Sequence, residues 1–196
     1  MTHRTASLTR RTNETSVAVT LDLDGTGISR ITTGIGFFDH MLAQLARHSR
    51  LDLDIHCDGD LDIDDHHTVE DVGITLGQAL AQALGDKAGI ARFGHAYAPL
   101  DEALARAVVD VSGRPYLVYD VDNPRERIGT FAVEMAEHFW RSLAFNAGLT
   151  LHIALLYGRN QHHILEATFK AAARALGAAT RHLAGQQDIP STKGVL

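Results

Sequence analysis

Apolar and polar residues change their period several times along this chain, and each change marks an element. From Ser16 to Thr33, "SVAVTLDLDGTGISRITT" alternates on both sides of "DGTG". A period of two with a glycine-supported turn predicts a β-hairpin. The next run, "GFFDHMLAQLARHS", places Phe38, Met41, Leu42 and Leu45 at helical spacing. "RLDLDIHCDGDLDID" returns to alternation, with Leu51, Leu53 and Ile55 on one face. It predicts a strand, a turn at Asp58-Gly59 and a short second strand. Asp64 or Asp65 then caps a helix over "HHTVEDVGITLGQALAQALG", with Val69, Val72, Leu76, Leu80 and Leu84 as its stripe and Gly85 near its end.

The second half repeats this order. "ARAVVDVSGRPYLVYDV" reads as strand, glycine turn, strand; "TFAVEMAEHFWRSLAFNAG" as a helix; "LTLHIALLYG" as a strand; "NQHHILEATFKAAARALGAAT" as a helix. Landmarks keep nearly constant offsets: Gly25 to Gly113 is 88 residues, Leu51 to Leu149 is 98, and His66 to His162 is 96. An internal duplication accounts for this. The expected fold is α+β, with two similar halves, each a small β-sheet with two helices, and the helices packed together between the sheets. No Pro/Gly/Ser linker marks the boundary near Gly89 to Gly94, so a single domain over residues 1–196 is expected. Its repeat halves are about 14–90 and 91–190, behind a flexible N-terminal arm over residues 1–12, "MTHRTASLTRRT".

Composition narrows the function classes. A hydrophobic fraction of 45% can build a core, and 18 Lys+Arg against 24 Asp+Glu argue against a partner bound through phosphate neutralisation, so no nucleic acid is expected. Cys57 is the one cysteine, which excludes an intrachain disulfide and a Cys-rich zinc site and suits a reducing cytoplasm. No apolar run has the length of a membrane span, and no secretory hydrophobic segment opens the chain. Twelve histidines are the oddity.

Those histidines are patterned. The first half has Asp39-His40 and, 26 residues after His40, "HHTVE"; the second has Glu137-His138 and, 24 residues after His138, "HHILE". Residues four apart share a helix face, so His66 with Glu70, and His162 with Glu166, can each hold one metal. Adjacent residues diverge by about 100° around a helix, so His67 and His163 must serve other centres than their neighbours. Pseudo-symmetry pairs His66 and Glu70 with His163, and His162 and Glu166 with His67. His40 and His138 are expected to add one further ligand to each. A lone HHxxE is ordinarily a solvated helix face; two copies with matched upstream histidines are a paired metal site. Asp71 has Ala167 as its counterpart, so it is read as a helix-face residue or one behind the ligands. The ligand set alone leaves the metal open among zinc, copper, nickel, iron and manganese. "DGDLDID" lacks the glycine a calcium loop needs. His3, His56, His95, His152 and His182 have no repeated partner and are read as structural or surface residues.

Over essentially its whole length the chain resembles the imidazoleglycerol-phosphate dehydratase family. "GFFDHML", "DDHHTVEDVGI", "RFGHAYAPLDEALARAVVDVSGRP", "EHFWRSLAFNAGLTLH", "NQHHILEATFKA" and the tail "PSTKG" carry the likeness. The resemblance implies a cytoplasmic hydro-lyase of histidine biosynthesis that converts imidazole glycerol phosphate to imidazole acetol phosphate. It implies two Mn2+ centres per subunit: His40, His66, Glu70 and His163 at one, and His67, His138, His162 and Glu166 at the other. It further implies a homo-oligomer of 24 subunits with these centres between subunits. Arg92 and Arg114 fall where the family holds the substrate phosphate, joined by Ser191, Thr192 and Lys193. Gln44 and His48 fall in a substrate-contacting segment, and Glu14 where the family has its base.

Chemistry makes two metals intelligible. The C2 proton of the substrate is not adjacent to a carbonyl, so direct elimination is slow. Metal binding favours an imidazolate, which expels the C3 hydroxyl to give a diazafulvene-like intermediate whose C2 proton is acidic. Two rivals share the histidine pattern: a binuclear metallohydrolase of a small phosphorylated substrate, and a shell whose metals only join subunits.

Overall fold

The computed structural model describes residues 3–122 and 126–196. Its first half runs β1 (Thr5–Arg11), β2 (Thr15–Asp22), β3 (Ser29–Thr32), α1 (Gly36–Ser49), β4 (Asp52–Gly59) and α2 (His66–Leu84). The second runs β5 (Phe93–Leu100), β6 (Ala103–Asp110), β7 (Tyr116–Asp120), the two-residue strands β8 (Arg127–Ile128) and β9 (Phe131–Ala132), α3 (Met135–Ala147), β10 (Thr150–Tyr157) and α4 (Gln161–Thr180). The sheets have the orders β1-β2-β4-β3 and β5-β6-β10-β7, so the duplication is one of topology as well as of sequence. The architecture is the expected α+β one.

The expected hairpin across "DGTG" is not formed. β4 inserts between β2 and β3, antiparallel to β2 with Val19 opposite Ile55, and parallel to β3 with Ile31 opposite Ile55. Parallel neighbours need a crossover, and α1 supplies it. The turn is organised from outside: one Asp52 carboxylate oxygen accepts the backbone N–H groups of Thr26, Gly27 and Ile28 at 2.8–2.9 Å. The second half does the same, with β10 between β6 and β7. The true hairpins are β1–β2 and β5–β6. The short strand expected after Asp58-Gly59 is also absent; residues 60–63 turn instead.

Nor is the N-terminal arm flexible along its length. Thr5–Arg11 is β1, paired with β2 residue by residue, while residues 1 and 2 lie outside the described residues. Two ion pairs pin it. Arg4 grips Asp24 at 2.6 and 3.0 Å and donates to the Thr180 carbonyl at 2.8 Å. Arg10 lies 2.6 Å from the buried Asp71, which also accepts from the Thr15 hydroxyl. Asp71 is therefore a buried link between α2 and the first sheet.

Each sheet keeps one apolar face inward: Val17, Val19, Leu21, Leu53, Ile55 and Cys57 in the first, Ala105, Ala107, Val109, Leu151 and Ile153 in the second, all buried. The helices fill the space between and cross the boundary of the halves, α1 packing on α4 and α2 on α3. Leu45, Leu80, Leu143 and Leu176, one from each helix, meet around a small gap with Leu21 and Leu53. Gly73 and Gly77 let α2 approach α3 closely. A Cβ on Gly77 would lie 2.7 Å from the Leu143 carbonyl oxygen, and one on Gly73 would lie 3.0 Å from that of Phe139.

This close approach makes a prediction. Gly77→Ala should lower stability by about 1–3 kcal/mol through overpacking, although alanine favours a helix by about 1 kcal/mol. Gly36→Ala, with nothing within 4 Å of the added carbon, should not. Thermal unfolding of both variants decides it; a Gly77→Ala midpoint at or above the parent's would refute the close contact.

Candidate metal centres

α2 and α4 begin on equivalent loops, each with the double histidine in its first turn. Asp64 Oδ1 accepts the His66 backbone N–H at 2.8 Å, and Asn160 Oδ1 accepts that of His162 at 3.0 Å. These side chains satisfy otherwise unpaired helix N–H groups and set where the helix starts. Asp65 instead accepts the Ala132 N–H at 2.5 Å, tying α2 to β9. The start of each helix fixes the phase at which His66, Glu70, His162 and Glu166 emerge.

Two groups converge within the chain, their ligand atoms all within 4.8 Å of one another: His40, His162 and Glu166; and His66, Glu70 and His138. In the first, Glu166 Oε2 lies 2.9 Å from His40 Nε2 and 3.0 Å from His162 Nε2. In the second, His138 Nε2 lies 3.3 Å from Glu70 Oε1, and the His66 and His138 rings are 4.5 Å apart. Within the chain the upstream histidines are thus exchanged relative to the grouping the resemblance implies, which puts His40 with His66 and His138 with His162. The cause is helix pairing: α1 lies on α4, and α3 on α2.

The double histidines diverge as helix geometry requires. His66 and His67 rings are inclined at 76°, His162 and His163 at 86°. Among the described residues, neither second histidine joins a triad of its own chain. Asp60 holds His67 Nδ1 at 2.9 Å, and Glu102 holds His163 Nδ1 at 2.7 Å. Both contacts raise the imidazole pKa above its ordinary 6.5. His163 and two backbone N–H groups hold Glu102 down to about 2.

Glu166 is buried, which by itself raises a carboxyl pKa. Hydrogen bonds from Lys170, His40 and His162 outweigh that and hold it down to about 2. Lys170 Nζ stands 2.6 Å from Glu166 Oε1. Sequence reasoning missed Lys170, although its position four residues after Glu166 puts it on the same helix face. The residues suit a divalent transition ion. Each triad offers two imidazoles and a carboxylate, and His138 Nε2 is buried, makes no well-aligned hydrogen bond and faces Glu70 Oε1 at 3.3 Å. His40 and His162 are 43% and 46% exposed, so the first triad opens outward.

The remaining predicted residues fall into three places. Gln44 and His48 hydrogen-bond to each other on α1 at 3.0 Å; burial, Lys170 and Arg174 lower the His48 pKa. Arg92 donates to both Asp110 oxygens, at 2.8 and 3.3 Å, and to the Pro190 carbonyl at 2.8 Å. That contact seats the tail bearing Ser191, Thr192 and Lys193, where Ser191 Oγ accepts the Lys193 N–H at 3.2 Å. Arg114 lies 4.0 Å from the same Asp110 and is 69% exposed. Glu14 follows the β1–β2 turn, half-exposed, with Oε1 3.9 Å from His67 Nε2. A cavity of about 660 Å³ lined by His3, Arg4, Asp24 and His182 includes none of these residues.

Fold and site together define a duplicated α+β chain with paired His/carboxylate triads built across its two halves. The family model for imidazoleglycerol-phosphate dehydratase matches residues 33–176. The chain is 58% identical to imidazoleglycerol-phosphate dehydratase of Dinoroseobacter shibae, over 98% of this chain and all of that one. It is 61% identical to that of Gluconacetobacter diazotrophicus, over 100% and 99%. The crystal structure of the Staphylococcus aureus enzyme superimposes with a TM-score of 0.83 at 43% identity, covering 91% of this chain and 99% of that one. That from Pyrococcus furiosus gives 0.83 at 39%, covering 96% and 100%. The chain belongs to the imidazoleglycerol-phosphate dehydratase family.

Imidazole binds a metal only when neutral. Where His67 and His163 serve as ligands, Asp60 and Glu102, by raising their pKa above 6.5, make protons compete with metal into the range above that value. Affinity should therefore rise with pH through the window just above 6.5 and then level off, while Glu166, ionised throughout, contributes no slope. Manganese titrations followed by EPR from mildly acid to mildly alkaline pH test this. An affinity independent of pH there would exclude both histidines as ligands.

Proposed function

We propose that this protein is a metal-dependent hydro-lyase that dehydrates D-erythro-imidazole glycerol phosphate to imidazole acetol phosphate in histidine biosynthesis. The carrying observation is the pair of preassembled triads in a chain of the dehydratase family. The lone, buried Cys57 suits a reducing, cytoplasmic setting. Residues 1–196 act as one domain, since neither half contains a full triad.

In this reading each triad holds one Mn2+, two centres per subunit. His163 of a neighbouring subunit completes the His66–Glu70–His138 group, and His67 of a neighbour completes the His40–His162–Glu166 group, in a homo-oligomer of 24 subunits. Support comes from the Nε2 atoms of His67 and His163, which lie outside either triad and 3.9 Å from Glu14 and Asp101, and from the open face of the first triad. A bound ion supplies Lewis acidity that eases loss of the ring N–H. The C3 hydroxyl leaves as water with the proton lost from the ring nitrogen, Glu14 then removes the C2 proton as the ring nitrogen is reprotonated, and the enol so formed tautomerises to the ketone. The Glu14 carboxylate lies 3.9 Å from His67 Nε2, which supports this role. Gln44 and His48 orient the substrate. The exposed Arg114, with Ser191, Thr192 and Lys193, receives the phosphate, and Arg92 joins them while anchoring the tail through Pro190.

A binuclear hydrolase sets its ions about 3.5–4 Å apart, usually with a shared carboxylate. Here the two triads share no residue, which favours separate centres.

Glu14→Gln should lower kcat by about 10²–10⁴-fold with KM and bound metal little changed, as expected for loss of a general base. Turnover of imidazole glycerol phosphate by manganese-loaded variant and parent is the measurement, and near-normal kcat would remove Glu14 from this role. Chelation should shrink the particle in light scattering, because metals that bridge subunits support association. An unchanged size after confirmed metal removal would exclude bridging.

A further inference from the structure

Glu14 and Glu102 occupy the same place in the two halves. They are separated by 88 residues, as Gly25 and Gly113 are. Each directly precedes the inner strand of its hairpin, β2 at Thr15 or β6 at Ala103, and these strands share one burial pattern. Each also stands beside the second histidine of a double-histidine pair: Glu14 by His67, Glu102 by His163.

Their surroundings differ at both nitrogens of the histidine: in the second half Asp101 Oδ2, not the glutamate, stands 3.9 Å from Nε2 of His163, and the glutamate takes Nδ1. In the first half, His67 Nδ1 is taken by Asp60, directly after β4, so Glu14 faces the opposite nitrogen, Nε2, at 3.9 Å. The counterpart of Asp60, by the 98-residue offset that aligns Asp52 with Thr150, is Gly158. No side chain fits there, because a Cβ would lie 2.7 Å from Ile164 Cγ1 and 3.0 Å from Ala103 Cβ. Glu102 fills the gap. Its Oε2 meets His163 Nδ1 at 2.7 Å, while Oε1 accepts the backbone N–H groups of Asn160 at 2.7 Å and Arg159 at 3.1 Å. Those amides lead into α4, so one carboxylate joins the hairpin turn, the start of the helix and the imidazole.

We propose that the duplicated glutamates have divided their roles: Glu102 is a positioning residue that holds His163 with its Nε2 lone pair outward for a metal, Asp60 does the same for His67, and Glu14 is thereby left free for proton transfer. A proton held on Nδ1 by a carboxylate leaves Nε2 as the acceptor, and such partners set both tautomer and ring orientation of a ligating histidine. Glu102 needs both oxygens as acceptors. A glutamine that keeps its oxygen on the two amides turns its NH₂ toward Nδ1, which then accepts, and the ring proton moves to Nε2 where it blocks a metal.

This inference rests on His67 and His163 being ligands, and the experiment separates the two claims. Mn2+ binding is titrated by EPR on full-length protein, alongside thermal unfolding, for Glu102→Gln, Glu102→Asp, Asp60→Asn, Glu14→Gln and His163→Ala. Glu102→Gln should weaken one class of manganese by about 10–100-fold and leave the other unchanged. Glu102→Asp, which keeps two acceptor oxygens, should recover part of that loss. Asp60→Asn should weaken the other class, and Glu14→Gln neither. If His163→Ala loses one class while Glu102→Gln retains both, the positioning role is overturned and the ligand reading stands. If His163→Ala retains both, the ligand reading itself falls. Equal weakening of both classes with a lowered melting point would mark Glu102 as merely structural and also overturn the proposal.

Discussion

Helix packing across the duplication decides where every triad forms. α1 rests on α4 and α2 on α3, so both main interhelical contacts join one half to the other. Gly73 and Gly77 permit the second of these contacts, since a side chain at either would meet the backbone of α3. His40 therefore reaches the His162–Glu166 face, and His138 reaches the His66–Glu70 face. Neither half alone contains a triad. The fused core and the site are consequences of one arrangement, because pulling the halves apart would expose apolar helix faces and dismantle both groups together.

The two triads are related by pseudo-symmetry but are not electrostatically alike. Glu166 is buried and shares its charge with Lys170, whereas Glu70 is more exposed, and the residue matching Lys170 at the 96-residue offset is Ile74. Asp71 and its counterpart Ala167 diverge similarly. Asp71 is spent on Arg10 and Thr15, which fasten the first strand to α2, while Ala167 packs in the core. A duplicated scaffold thus presents the same ligand geometry twice and a different charge behind each copy.

The legible part of the fold was whatever short-range periodicity controls. Helices α1, α2 and α4 and strands β2, β4, β6 and β10 lie where the period predicts them, since their buried faces recur every two or every three to four residues, whereas α3 begins only at Met135 because Phe131–Ala132 pairs as β9. Strand partners were not legible. "DGTG" looks like a hairpin turn from its neighbours, yet Asp52, 25 residues after Gly27, organises it and β4 takes the central position. The same blindness made β1 look like a loose arm: its residues are polar outward, and the ion pairs that fasten it reach Asp24 and Asp71 across the fold.

At the site, local helix geometry could say that His66 goes with Glu70, that His162 goes with Glu166, and that each adjacent histidine must face elsewhere. These statements depend only on the angle between neighbouring side chains on one helix. Which upstream histidine joins which pair depends on how four helices cross, and no local pattern encodes that. The carboxylates behind His67 and His163 are decided in the same way, by the loop after β4 in one half and by a hairpin turn in the other. The sequence by itself determined the candidate ligands and the two His/Glu pairs; tertiary packing decided which upstream histidine joins each pair, because those contacts join residues far apart along the chain.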